Sequence, residues 1–198
     1  MAPSIGIALF DGVEELDWVG PWEVLSAWAH FFPEDGAEVF TMAQVDGPVR
    51  CAKGARVLAD YTWDDHPPVD VLVFPGGRGT RPMVGDDGVR RWVRSVAASA
   101  SLVTSVCTGA LVLGDAGILD RRPATTHWRA FDELATVGTG IEVRPGQRFV
   151  DDGDVITSAG VSAGIDMALH LVARLSPAGA ERSREVRTII DYDPEPPH

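Results

Sequence analysis

The chain has 198 residues, of which 45% are hydrophobic, so it is long and apolar enough to bury the core of a globular domain. Acidic residues outnumber basic ones 29 to 17, which gives a formal net charge of −12. This balance argues against nucleic-acid binding and against docking on anionic membranes, because both need a basic surface. Two cysteines, Cys51 and Cys107, are too few for the disulfide framework of a small secreted domain.

We predict a single domain over residues 1–198. Residues 188–198 form an extended tail in this prediction, because their prolines end the preceding helix. The first residues lack the cationic start of a signal peptide, so we expect a cytoplasmic protein. Residues 95–114 carry no charge, but Ser, Thr and Gly are mixed with β-branched residues there. That mixture indicates a buried strand and helix and not a membrane span.

The predicted elements alternate between strands and helices along the chain. A strand over residues 5–10 comes first, and Pro21 suits the first turn of the helix that follows it. Further strands are predicted at 38–43, in two short pieces within 49–61, and at 69–74, 102–106 and 155–158, with a hairpin over 142–149. Further helices are predicted at 87–100, 108–116, 126–135, 162–175 and 178–187. Continuous apolar strands are typical of a parallel sheet covered on both faces, so we predict a doubly wound α/β fold, with a mostly parallel sheet sandwiched by helices.

Cys107 is predicted at the bend between the strand at 102–106 and the helix at 108–116. Ligands of open α/β sheets bind beyond the carboxyl ends of the strands, and a side chain at such a bend projects into that crevice. We expect the positive end of the following helix to stabilise a thiolate and lower the thiol pKa, which makes a cysteine nucleophilic. The position alone fits a buried structural cysteine equally well.

Asp17 is the second candidate, in the acidic segment predicted to join the first strand to the first helix. Its neighbours Leu16 and Trp18 are apolar, so we expect it to be more buried than Glu14 and Glu15. A carboxyl group in apolar surroundings has a raised pKa and can carry a proton. The alternative interpretation, which the position alone favours, is a helix cap or a solvated loop charge.

Two further features are weaker signals. Gly76 and Gly77 follow the strand at 69–74, where glycine lets backbone N–H groups point into the crevice as an oxyanion site requires; the alternative is a simple turn. His127 could pair with Cys107 as a base, although a capping or supporting role is the favoured interpretation. No pair of histidines or cysteines has the spacing of metal ligands, so we predict no metal.

Five motifs in chain order resemble the ThiJ/PfpI superfamily. They are FDGVEELDWVGPWEVL, VDVLVFPGG, VTSVCTGALVLGDAGIL, RRPATTHW and ITSAGVSAGIDMALHLV. The superfamily has a flavodoxin-like fold, also called class I glutamine amidotransferase-like. The segments LD-x-x-GP, SVCTG and AGVSAGID are most similar to its isonitrile (isocyanide) hydratases. This resemblance implies a homodimer that adds water to a small-molecule isonitrile to give an N-substituted formamide, without metal or organic cofactor and without nucleic-acid or membrane partners.

The same resemblance implies roles for individual residues. Cys107 is the implied nucleophile, attacking the isonitrile carbon to give a thioimidate, and Asp17 is the implied acid and base. Backbone groups at Gly77 and Thr108 are implied to bind the polar end of the substrate.

We further predict that His127, Gly160 and Val161 surround these reacting groups. Thr108 stands where the peptidase-like branch has a histidine, so the triad of that branch is missing here.

Two other functions remain open at this stage. A glyoxalase-type enzyme of the same superfamily would act on α-oxoaldehydes. Many members carry a glutamate where this chain has Asp17, and the shorter aspartate side chain cannot extend its carboxyl group as far, which weakens this alternative. A non-enzymatic module would use the pocket to sense a ligand, or Cys107 to sense oxidants.

Overall fold

The computed structural model describes residues 2–193 and is built on a seven-stranded sheet with helices on both faces. The strands are β1 (Ser4–Leu9), β2 (Glu38–Ala43), β3 (Val49–Arg50), β4 (Arg56–Val57), β5 (Tyr61–Thr62), β6 (Val71–Phe74), β7 (Leu102–Val106), β8 (Pro123–Ala124), β9 (Glu142–Val143), β10 (Phe149–Asp151) and β11 (Val155–Ser158). The α-helices are α1 (Glu15–Phe31), α2 (Asp87–Ser99), α3 (Gly109–Asp115), α4 (Phe131–Val137), α5 (Ala163–Leu175) and α6 (Ala180–Ile189). Within residues 2–193, no helix combines the length and apolar character needed to cross a bilayer.

The large sheet has the order β10-β11-β7-β6-β1-β2-β5. All neighbouring strands run parallel except β10, which is antiparallel to β11. The strand order reverses around β1, since the chain continues to β2 on one side and later returns through β6 and β7 on the other. The predicted doubly wound α/β fold is therefore confirmed, and its ligand crevice is expected where β1 and β6 end.

Side chains that alternate along the central strands enter two separate cores. Ile5 and Ile7 of β1 pack with Trp28 of α1 on one face of the sheet. Leu72 and Phe74 of β6 belong to the core on the other face, which also contains apolar residues of α2, α3 and α4. Burial on both faces explains why these strands are continuously apolar in sequence.

The first helix starts earlier than predicted. Helix α1 begins at Glu15, so Pro21 lies inside the helix and is not at its first turn. Because proline has no N–H, the carbonyl of Asp17 cannot receive the usual helical bond from residue 21. Asp17 consequently lies in the first turn of a helix and not in a loop.

The predicted hairpin over 142–149 is wrong. Strand β9 pairs with β8 in a small parallel sheet, and β10 pairs with β11 at the edge of the large sheet. Gly146 does turn with a φ of 80°, but the two strands that it joins belong to different sheets. The sequence pattern indicated the turn, but it could not indicate with which strands the segments on either side of the turn pair.

The predicted helix at 126–135 is shorter and displaced. A 3₁₀ turn at Trp128–Ala130 precedes α4, and His127 caps that turn by accepting the N–H of Arg129. At the carboxyl end, α6 continues through Ile189, so the predicted extended tail starts two residues too early. The rest of that prediction falls partly on residues 194–198, which lie outside the described residues.

Candidate active site

Cys107 occupies a strained bend between β7 and α3. Its φ is 57°, a left-handed conformation that is uncommon for residues other than glycine. The Cys107 N–H donates to the carbonyls of Ser158 and Ala159, both at 3.1 Å, and the hydroxyl of buried Thr126 donates to the Cys107 carbonyl at 2.7 Å. Hydrogen bonds on both sides of the residue therefore hold a conformation that the isolated peptide would disfavour.

Glycines let the neighbouring strand end approach this bend. A Cβ on Gly109 would lie 2.2 Å from the carbonyl oxygen of Phe74, and one on Gly76 would lie 2.5 Å from the Thr108 nitrogen. Both distances are far below any real contact, so a side chain at either position would push β6 and β7 apart. The close approach places the segment after β6 directly beside Cys107.

Asp17 lies beside Cys107 and is fully buried. The Gly76 N–H donates to its Oδ2 at 3.1 Å, while Oδ1 has no hydrogen-bond partner of normal geometry among residues 2–193. Burial raises the pKa of Asp17 to about 6, and the Cys107 thiol and the amides of Gly76 and Val161 offset part of that effect. The sequence prediction of a buried acid with a raised pKa is confirmed.

The expected lowering of the Cys107 pKa is wrong. Burial and the negative charge of Asp17 raise the pKa of the thiol to about 12, although the amides of Thr108 and Val161 act in the opposite direction. The thiol is only 6% exposed, so the short helix behind it does not compensate for the lost hydration. At neutral pH the pair therefore holds one proton, mainly on sulfur, with the carboxylate next to it.

Thr108 and Gly77 form a small hydroxyl network with Thr80. The Gly77 N–H donates to Thr108 Oγ1 at 3.0 Å, and the buried Thr80 hydroxyl donates to the Gly77 carbonyl at 2.8 Å. Gly77 has a φ of 128°, and a Cβ there would lie 2.4 Å from the Glu14 nitrogen. The Gly77 amide is thus engaged within the protein, and the Thr108 amide is the one that acts on the cysteine sulfur.

His127 and Val161 form the opposite wall, and Gly160 packs against His127. The His127 ring packs so closely on Gly160 that a Cβ there would lie 2.3 Å from the ring. Partial burial and the nearby charges of Arg129 and Arg81 lower the pKa of His127, so its ring is neutral at physiological pH. Val161 has a φ of 52°, a second strained position that the sequence did not reveal, and its amide acts on both reacting side chains.

These groups meet at a surface cavity of about 400 Å³. Its lining residues are Glu14, Gly77, Arg78, Arg81, Cys107, Thr108, His127, Arg129 and Val161. Of the predicted site residues, Asp17 and Gly160 lie behind the lining and the others form part of it. The three arginines were not predicted; they lie in two short 3₁₀ segments, Arg78–Met83 and Trp128–Ala130, that are distant in sequence.

No metal site is evident in the part of the chain that the structure describes. Residues 2–193 contain no group of three or more His, Cys, Asp or Glu side chains placed to hold an ion. The polar groups at the cavity are instead a thiol, a carboxyl group, backbone amides and guanidinium groups. Such a set supports nucleophilic attack by sulfur combined with proton transfer over a short distance.

Known proteins with similar sequences include enzymes. The chain is 40% identical over 197 residues to an isonitrile hydratase of Pseudomonas putida, covering 100% of this chain and 82% of that protein. It is 28% identical over 158 residues to a glutathione-independent glyoxalase of Caenorhabditis elegans, covering 76% of this chain and 79% of that protein.

A solved structure shares the fold over the whole chain. The ThiJ/PfpI family protein from Pseudomonas syringae superposes with a TM-score of 0.88 at 32% identity, covering 100% of this chain and 78% of that one. The model of the DJ-1/PfpI family matches residues 3–174. The chain therefore belongs to the DJ-1/PfpI family.

Proposed function

We propose that this protein is an isonitrile hydratase that converts R–N≡C and water into the formamide R–NH–CHO. The observation that carries the proposal is the Cys107–Asp17 pair, a thiol on a cavity wall in contact with a buried carboxyl group whose pKa is near neutrality. The identity of 40% to the isonitrile hydratase supports the choice of reaction within the family.

The first half of the reaction uses Asp17 as a base and then as an acid. Transfer of the thiol proton to Asp17 leaves a thiolate, which the amides of Thr108 and Val161 stabilise. The sulfur attacks the terminal isonitrile carbon, and Asp17 returns the proton to that same carbon. The product is the thioimidate R–N=CH–S–Cys107, and every atom of the thiol and the isonitrile is retained in it.

The second half restores the enzyme. Asp17, again a carboxylate, takes a proton from water while the oxygen attacks the thioimidate carbon, and the nitrogen is protonated. The resulting R–NH–CH(OH)–S–Cys107 loses the sulfur as a thiol and forms the formamide carbonyl. Asp17 therefore carries the thiol proton to carbon in the first half, and in the second half it carries one proton of water to nitrogen and the other to sulfur. A carboxyl group with a pKa of about 6 suits both the uptake and the release of these protons.

The residues around Cys107 and Asp17 have supporting roles in this proposal. The Thr108 amide binds the reacting end of the substrate, and Gly77 contributes by holding the Thr108 hydroxyl in place. His127 acts as a neutral wall and cap, since its Nδ1 already accepts the N–H of Arg129. The homodimer and the cytoplasmic location implied by the sequence stay predictions.

The direct test measures formamide formation from cyclohexyl isocyanide by mass spectrometry. We expect Cys107→Ala to abolish turnover, and Asp17→Asn to lose both turnover and the substrate adduct on Cys107, because Asn cannot take the thiol proton. The matched control is Cys51→Ala, because Cys51 is also buried but does not line the cavity. Full activity of Cys107→Ala would contradict the mechanism.

A glyoxalase-type activity is separated in the same assay by replacing the isocyanide with methylglyoxal. Turnover of methylglyoxal without turnover of the isocyanide would replace the hydratase proposal with that alternative.

A further inference from the structure

The cavity that contains Cys107 carries unbalanced positive charge. Arg78 and Arg129 both line it, and both are exposed. Neither guanidinium group has a carboxylate partner within residues 2–193, and Arg129 lies over the Trp128 ring with 4.8 Å to the ring centroid. The chain as a whole has a net charge of −12, so two arginines without acidic partners at the site run against its general composition.

The other two charged side chains that line the cavity have ion-pair partners. Arg81 forms an ion pair with Glu133, with Nε and Oε2 2.9 Å apart. The carboxylate of Glu14, which also lines the cavity, contacts Lys53. What remains at the mouth is the positive charge of Arg78 and Arg129.

A second observation shows that this charge acts inside the site. Partial burial lowers the pKa of His127, a group on the cavity wall, and the charges of Arg129 and Arg81 lower it further. A potential that disfavours a proton on His127 also attracts an anion to the same space. In the proposed hydration of a neutral isonitrile, the sulfur, the carboxyl group and the amides act on the substrate. The two arginines have no role in that reaction.

We propose that the natural substrate carries an anionic oxygen group, which Arg78 and Arg129 bind while the reactive carbon faces Cys107. A carboxylate is a small organic oxyanion with two acceptor oxygens, and guanidinium groups bind it through paired hydrogen bonds. The inference rests on the proposed function for the reacting group, so the substrate class is an isonitrile with a carboxylate. The reaction is ⁻OOC–R–N≡C + H₂O → ⁻OOC–R–NH–CHO, in which the carboxylate is unchanged.

The charge preference is tested first without relying on hydratase activity. Iodoacetate and iodoacetamide both alkylate thiols, but only iodoacetate is an anion. We expect the ratio of their rates at Cys107 to fall about tenfold in the double variant Arg78→Gln/Arg129→Gln, since focused charge changes association rates by this order. The iodoacetamide rate should stay unchanged, and salt should reduce the wild-type ratio.

The matched control is Arg91→Gln, because Arg91 is an exposed arginine of α2 that does not line this cavity. It removes one positive charge away from the cavity, where the double variant removes two at the cavity, and it should leave the ratio at the wild-type value. The proposal is overturned if the double variant has the wild-type ratio, or if Arg91→Gln lowers it as much as the double variant does.

The second test compares isocyanoacetate with its methyl ester as substrates. Wild-type kcat/KM should favour the acid, and the double variant should lose about tenfold for the acid, mainly in KM, with little change for the ester. An acid and an ester that respond equally to the double variant would overturn the substrate class. If neither compound is hydrated while the alkylation ratio still depends on the arginines, the hydratase proposal fails and the anion site stands.

Discussion

The hydroxyl of Thr126 donates to the carbonyl oxygen of Cys107 at 2.7 Å, and both residues are buried. This bond connects the segment before α4 to the strained bend that carries the sulfur. Val is almost isosteric with Thr but has no donor, so Thr126→Val leaves the Cys107 carbonyl with only the long bond from the Ala110 N–H at 3.4 Å. We expect the free energy of unfolding to fall by about 1–3 kcal/mol, measured by urea denaturation, with a parallel loss of kcat.

Thr136→Val is the control for this change. The hydroxyl of Thr136 is exposed and bonds only to carbonyls of its own helix. Its loss should alter the unfolding free energy by less than about 0.5 kcal/mol. Equal losses in the two variants would show that the bond to Cys107 has no special importance.

Gly160 and His127 are predicted to be energetically coupled. A Cβ at residue 160 would overlap the His127 ring, so Gly160→Ala should cost about 1–3 kcal/mol of stability. His127→Ala removes the ring and opens the space. In that background the cost of Gly160→Ala should largely disappear, which a double-mutant cycle in urea would measure. Additive effects of the two substitutions would contradict the packing described for this wall.

Asp17 should make the protein less stable as pH rises. Its pKa is about 6 in the folded protein against an ordinary value of 3.8, so the folded state holds the proton more tightly. The contribution to stability is complete below pH 3.8 and is lost as pH rises through 6, and it amounts to about 3 kcal/mol. The free energy of unfolding of Asp17→Asn minus that of the wild type should therefore decrease by about this amount when the pH is lowered from 8 to 4. Exposed Asp132→Asn is the control, and its difference from wild type should not follow this curve.

The ionisation of Asp17 should also determine how kcat/KM depends on pH. Below pH 6 Asp17 is protonated and cannot take the proton of the Cys107 thiol, whose own pKa is about 12. We expect kcat/KM for a neutral isonitrile to fall about tenfold per unit of pH below that point. A profile that stays flat from pH 8 to pH 4.5 would remove Asp17 from the proton transfer.

Asp35 should have the opposite pH dependence. It accepts hydrogen bonds from Arg182 at 2.8 Å and from Trp28 and Ser176, both at 2.7 Å, which together lower its pKa to about 2. Its contribution to stability is complete above pH 3.8 and is lost as pH falls through 2. Arg182→Met leaves a nearly buried carboxylate without its cation and should cost about 3 kcal/mol at pH 7. Arg184→Met, an exposed change on the same helix, should cost little, and a similar loss there would contradict this account.

Local sequence patterns were enough for the fold class and for the positions of Cys107 and Asp17, while the roles proposed for these two residues came from the family resemblance. Residues 38–43, 102–106 and 155–158 were predicted with the observed strand bounds, because a strand buried on both faces is a short apolar run with polar or turn residues at its ends. Asp17 was predicted to be buried because its two neighbours are apolar. In each case the deciding information lies within a few residues along the chain.

The prediction failed where distant segments meet. The pKa of Cys107 rises because the thiol is buried and the carboxylate of Asp17 is packed against it, although the helix that follows the cysteine locally favours a thiolate. The strands on either side of the turn at Gly146 join different sheets for a similar reason, since their partners come from other parts of the chain.

The amino-acid order alone thus determined a parallel α/β sheet, a cysteine at a strand end and an apolar setting for one acid, because hydrophobic periodicity and turn residues act locally. Only the tertiary structure decided that the cysteine and the acid share one proton. It also placed Arg78 and Arg129, which are about 50 residues apart in the sequence, at the same cavity. Electrostatic energies depend on distance in space and on burial, and neither quantity exists until the chain has folded.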